Sequence, residues 1–64
     1  MEYYQKRVFL EKEELDEKIV RLEEFLGDER PARISKRGYG RLLEQLRHME
    51  NYSSVLGQRI VQFK

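Results

Sequence analysis

Apolar positions in the second half of the chain recur at alternating steps of four and three. Leu42, Leu46, Met49, Ser53, Leu56, Ile60 and Phe63 therefore hold one narrow seam on one side of a helix. A seam that narrow needs a partner helix. Gln45, Tyr52 and Arg59 are seven apart and stack along one edge of the same helix, where they can be half buried and still reach a ligand or a neighbouring chain. The first half is helical too, from about residue 2 to 26, with Tyr4, Val8, Leu15, Ile19, Leu22, Phe25 and Leu26 on one face and no glycine or proline inside it. Acids and bases at helical spacing, Glu14 with Lys18 and Glu17 with Arg21, are expected to pair along it. Two charges intrude on its apolar face, Glu11 between Val8 and Leu15, and Lys18 between Leu15 and Leu22. Either both snorkel to the edge of a narrow stripe, or each has a partner. For Glu11 the partner would be an arginine such as Arg59, a pairing that fixes register more than it stabilises. For Lys18 it would be an anion in a crevice between chains.

Residues 27–35, Gly-Asp-Glu-Arg-Pro-Ala-Arg-Ile-Ser, break the periodicity. Gly27 is expected to close the first helix in the left-handed conformation, and Pro31 biases Arg30 away from helical geometry, so the chain turns back here. Ile34 is expected to plug the open end of the hairpin, and Ser35 to cap a second helix over about 36–62. Gly38 and Gly40 in its opening turns each cost roughly 1 kcal/mol relative to alanine, so this start is either frayed or used for close approach. Ser53 and Gly57, one turn apart, leave a notch that a neighbour should fill. The expected fold is all-α: a two-helix antiparallel hairpin forming one domain.

Size sharpens this picture. Chains of about this length bury only roughly 60% of the surface that their unfolded form exposes. With no cysteine and a single histidine, His48, neither a disulfide nor a zinc centre can compensate, which leaves self-association into a compact helical homo-oligomer. No apolar run approaches the roughly 20 residues of a membrane span, so no membrane role is expected and the chain is read as cytoplasmic. The formal charge of +1 hides an asymmetry: residues 1–29 carry ten acids and five bases, residues 30–64 eight bases and two acids. Halves so opposed are expected to attract along their flanks.

Catalysis is not expected. Nothing places two carboxylates across a cleft, and His48 has no nucleophile to serve, so no catalytic residue, metal site or cofactor is assigned. Phosphate binding fits the residues better. Arg30, Arg33, Lys36, Arg37 and Arg41 lie in an acid-free stretch with Tyr39 as a stacking platform, although a solvated turn is the favoured reading of that segment, since basic clusters are common. Tyr3, Tyr4, Lys6 and Arg7 set rings beside cations, and an antiparallel hairpin brings them near Arg59. Binding to DNA or RNA is the competing reading, weakened by the acidic first helix, which repels a phosphate backbone.

Tyr4-Gln5-Lys6-Arg7-Val8, then Glu11-Lys12-Glu13-Glu14-Leu15-Asp16-Glu17-Lys18-Ile19 with Leu22, Phe25 and Leu26, and finally Gln45-Leu46, Met49, Tyr52-Ser53, Leu56, Arg59-Ile60 and Phe63, run over nearly the whole chain. In this order they resemble a family of short phage and prophage proteins related to a crAss-like phage protein. That family looks like the one containing the phage sponges that defeat CBASS immunity by sequestering cyclic oligonucleotide signals without degrading them. The resemblance implies a homo-oligomer, a hexamer, holding cyclic di- or trinucleotides between chains in the host bacterial cytoplasm. By position, Tyr3 or Tyr4 would stack on a base, Lys18 would contact phosphate, and Arg59 would line a further pocket; with Arg7 and Tyr52 these form the expected ligand-binding set. The segment Lys36-Arg37-Gly38-Tyr39-Gly40 departs from the acidic start expected of the family. A small nucleic-acid-associated phage protein, and an adaptor that binds a host protein through its helical seam, remain as alternatives.

Overall fold

The computed structural model describes residues 2–27 and 34–63. Helix α1 spans Tyr3–Gly27 and helix α2 spans Lys36–Val61, and they pack as an antiparallel hairpin about 47 Å long and 14 Å across. Arg30, Pro31 and Arg33, expected in the turn, lie outside the described residues.

Each helix start is locally encoded. The Glu2 amide donates to Gln5 Oε1 at 3.0 Å, half of a capping box, which gives a buried glutamine a backbone partner. Ser35 caps α2 from an extended conformation, its Oγ accepting the Gly38 amide at 3.0 Å. A Cβ on Gly38 would lie 3.3 Å from both Ile34 Cγ2 and Ser35 Oγ, so the glycine is there for close approach: it lets half-buried Ile34 fold over the first turn of α2. At the other end Arg59 sits in the last turn, where the helix dipole favours a cation. Gly27 differs from expectation. It is the last helical residue of α1, and no described glycine has a positive φ. Glycine permits the left-handed conformation without requiring it, and here the helical hydrogen bonding carries through.

The α2 seam is as the spacing predicts, with Leu56 fully buried at 0% exposure and Ser53 buried beside it. The α1 seam is shifted from expectation. Gln5, Val8, Lys12, Leu15, Ile19, Leu22 and Leu26, at steps of three and four, are its buried and half-buried members, while Tyr4 and Phe25 stand exposed at its border. Glu11 and Lys18 are exposed as well, and the charge that enters the seam is Lys12.

Lys12 fills the expected notch. A Cβ on Gly57 would meet Lys12 Cε at 3.3 Å, so the missing side chain makes room for the lysine stem. Its Nζ donates to Asp16 Oδ2 at 2.8 Å and to Ser53 Oγ at 3.1 Å, and Ser53 Oγ donates to Asp16 Oδ1 at 2.5 Å. The Lys12 bond, and then the Ser53 bond, hold the Asp16 carboxyl below the usual carboxylate range against a small opposing effect of burial. Lys12–Asp16 is the ion pair found among the described residues. Glu14–Lys18 and Glu17–Arg21 are not paired there, and no ion pair joins the acidic helix to the basic one. Hydrogen bonds from Lys12 to Ser53, from Ser53 to Asp16 and from Tyr52 to Glu11 link the helices instead. Long exposed side chains gain little from being held in one geometry, which is why spacing alone overstates such pairs.

Candidate functional site

Hairpin pairing sets the start of α1 beside the end of α2. Phe63, just beyond α2, packs edge-on against Tyr4, with ring centroids 5.9 Å apart and planes at 81°, and against Phe9 at 6.3 Å. These contacts hold the Tyr4 ring in place while 57% of the residue stays exposed. One turn along α1, the Arg7 guanidinium lies 6.0 Å from the Tyr3 ring, a cation–π arrangement that steadies a side chain otherwise free to wander.

Along this flank runs an open cleft of about 590 Å³ lined by Tyr4, Arg7, Val8, Leu10, Glu11, Glu14 and Arg59. Three of the residues singled out from the sequence, Tyr4, Arg7 and Arg59, meet here. Tyr3 stands outside the cleft, beneath Arg7. The edge row of Gln45, Tyr52 and Arg59 borders the same flank, because Tyr52 donates its hydroxyl hydrogen to Glu11. Glu11 thus takes Tyr52 as its partner and not Arg59. That bond, reinforced by burial and by the Glu11 charge, pushes the Tyr52 hydroxyl above its ordinary pKa, with the nearby Arg59 charge pulling the other way. Beyond Tyr52 the flank continues as a shallow hollow of about 570 Å³ lined by Arg41, Glu44, Gln45, His48, Met49 and Tyr52. The Tyr52–Glu11 bond stands between the two concavities.

Lys18 does not line either one. It is exposed seven residues after Glu11, about 10 Å farther along the α1 axis. Two cleft residues were missed in the sequence. Leu10 and Glu14 follow the N-terminal rings and arginine at helical spacing, and the step of seven from Arg7 to Glu14 was the signal available. Chemically the cleft offers one ring face, two guanidinium groups and two carboxylates, so its formal charges cancel within one chain. Planar guanidinium donors suit phosphate oxygens, and an exposed ring suits a flat heterocycle. Among the described residues no three His, Cys, Asp or Glu side chains converge as a metal site requires, and no helix is long and apolar enough to cross a membrane.

Hairpin and flank define a small all-α protein with an open cleft of rings, arginines and carboxylates at the paired ends of its helices. Comparison with known families makes this more specific. The chain belongs to the Sequestin family, whose model matches residues 2–62. Neither a curated protein nor a solved structure matches it significantly. The family name itself speaks of sequestration.

Proposed function

We propose that this protein captures cyclic oligonucleotide immune signals without chemistry, acting as a cytoplasmic anti-CBASS sponge. The observation that carries this reading is the meeting of Tyr4, Arg7 and Arg59, drawn from both helices, in one open cleft of a Sequestin-family chain. In this reading Tyr4 stacks on a base while Arg7 and Arg59 grip phosphate oxygens. Tyr52 keeps Glu11 occupied, which leaves Arg59 free for the ligand.

One chain is not enough. Its cleft carries as many carboxylates as arginines, and Lys18 is not among the residues that line it. Assembly into a homo-oligomer, a hexamer, resolves both points, because Lys18 of one copy can add its charge to the cleft of another. The narrow rod also leaves Leu10 at 52% and Val61 at 83% exposure, apolar surface that neighbouring copies would cover.

Native mass spectrometry of the purified protein tests assembly, and analysis of the small molecule released by heat tests retention of an intact ligand. Titration calorimetry against cyclic di- and trinucleotides then measures binding. Lys18→Ala is expected to abolish ligand retention while the assembly persists. Loss of assembly alone makes Lys18 structural, and uniform absence of binding heat overturns the proposal.

A further inference from the structure

Each helix has a row of positions on either side of its seam. Glu11 and Tyr52 stand one residue before the seam positions Lys12 and Ser53, and their hydrogen bond puts both of these rows on the flank that holds the cleft. The rows one residue after the seam therefore share the opposite flank. Phe9 and Val20 of α1 and Leu43 and Val61 of α2 stand there, 40%, 50%, 45% and 83% exposed. Four large apolar side chains on one flank of so thin a rod mark it as a contact surface.

The charges of this flank are divided by helix. From Phe9 to Glu23 the α1 row carries Glu13, Asp16 and Glu23 and no base, while the α2 row from Leu43 to Val61 carries Arg47 and one acid, Glu50. Neither Glu23 nor Arg47 has an ion-pair partner among the described residues. Two copies can meet face to face here with two-fold symmetry in two ways. Turned about an axis across the rods, each α1 lies on the other α1 and sets acids against acids. Turned about an axis along the rods, each α1 lies on the other copy's α2 at the same height.

We infer that this protein pairs in the second arrangement, as a four-helix bundle in which every neighbour runs antiparallel, an inference that rests on the self-association in the reading above and is independent of the ligand. Lys12 against Gly57 and Asp16 bonded to Ser53 give the register of this flank, since four residues forward on α1 match four back on α2. Carried along the rod, that register brings Phe9 of one copy within a residue of Val61 of the other, and Glu23 within a residue of Arg47. Ring meets valine at one end, and carboxylate meets guanidinium toward the other. Between them Val20 lies against the aliphatic stems of Arg47 and Glu50, and Leu43 falls over Gly27, where no side chain bars it. The flank is about 47 by 14 Å, so such a pair approaches the roughly 800 Å² per partner of a stable interface. Both clefts then face outward, on opposite sides of the bundle.

Glu23 and Arg47 are exposed, so Glu23→Arg and Arg47→Glu leave the hairpin fold intact, which circular dichroism checks. Native mass spectrometry and sedimentation of the full chain over a dilution series read the pairing. Each reversal sets like charges together twice per pair and is expected to weaken pairing about tenfold or more. An equimolar mixture of the two variants is expected to recover wild-type pairing as a mixed pair, because both contacts then join opposite charges. Mixing cannot repair a defect inside one chain. Reversals that leave pairing at the wild-type level, an E23R variant that pairs more tightly, or a mixture no better than either variant alone overturn the inference while self-association stands. Wild type that stays monomeric throughout the series overturns it together with the assembly it rests on.

Discussion

Replacing Lys12 by Leu makes the α1 seam apolar without interruption from Val8 to Leu26. The lost Lys12–Asp16 pair has side chains 29% and 45% exposed, so it contributes only about 0.3–0.5 kcal/mol. The cross-helix bond from Lys12 to Ser53 adds about 1 kcal/mol, but its loss strands nothing, since the Ser53 hydroxyl still donates to Asp16. Leucine against Gly57 recovers about 1 kcal/mol, because the lysine stem already covers much of the same surface. Stability should therefore stay within about 1 kcal/mol of wild type by urea unfolding at fixed protein concentration. Pairing uniqueness should suffer, because one seam slid past the other by a turn no longer strands a charge. Doubled amide resonances around Ser53 and Gly57 are the expected sign. A loss of more than about 2 kcal/mol would refute this reasoning, since it would make the polar junction a main stabiliser. A variant that is more stable and shows a single set of resonances would refute the register role.

Asp16→Asn addresses the same junction through pH. The folded-state pKa of Asp16 is lowered, so its contribution is complete above the unfolded value of about 3.9 and fades as pH falls through the lowered folded value. In D16N that acid-side fade should be missing from thermal melts recorded against pH. Leu56→Ala empties the one side chain fully buried among the described residues and should cost about 3 kcal/mol in denaturant unfolding, a large share of the stability of so small a chain. A cost below about 1 kcal/mol would mean that the seam is not packed. Tyr52→Phe should delete a tyrosine that titrates above the ordinary range in an ultraviolet pH titration. Because the folded pKa of Tyr52 is raised, any stability it contributes is complete below the unfolded value of about 10 and is lost as pH rises through the folded one. Ser35→Ala removes the acceptor of the Gly38 amide and should lower the melting temperature by the equivalent of about 1 kcal/mol.

The α2 seam could be read directly, because all its members except Ser53 are apolar and spacing and composition agree. The α1 seam could be read only by spacing. Gln5 and Lys12 occupy the three-and-four rhythm, but a reading by hydrophobicity passes over them and draws in Tyr4 and Phe25 from the border. Both exceptions have a cause invisible along one helix. Gln5 serves the Glu2 amide, and Lys12 lies in a notch that the opposite helix provides. The notch itself was visible in Ser53 and Gly57. Its occupant was not, since that depends on which turn of α1 faces which turn of α2. At the cleft, antiparallel pairing was enough to bring Tyr4 and Arg7 toward Arg59. The partner of Glu11 was not, because Tyr52 and Arg59 share one edge and only the hydrogen-bond geometry separates them.

The ring cluster of Tyr4, Phe9 and Phe63 has a practical corollary for anyone labelling the molecule. A fluorophore attached beside this cluster, at Tyr3 or Gln62, will sit at the mouth of the cleft, where its bulk can screen Arg59 and mimic a loss-of-binding phenotype.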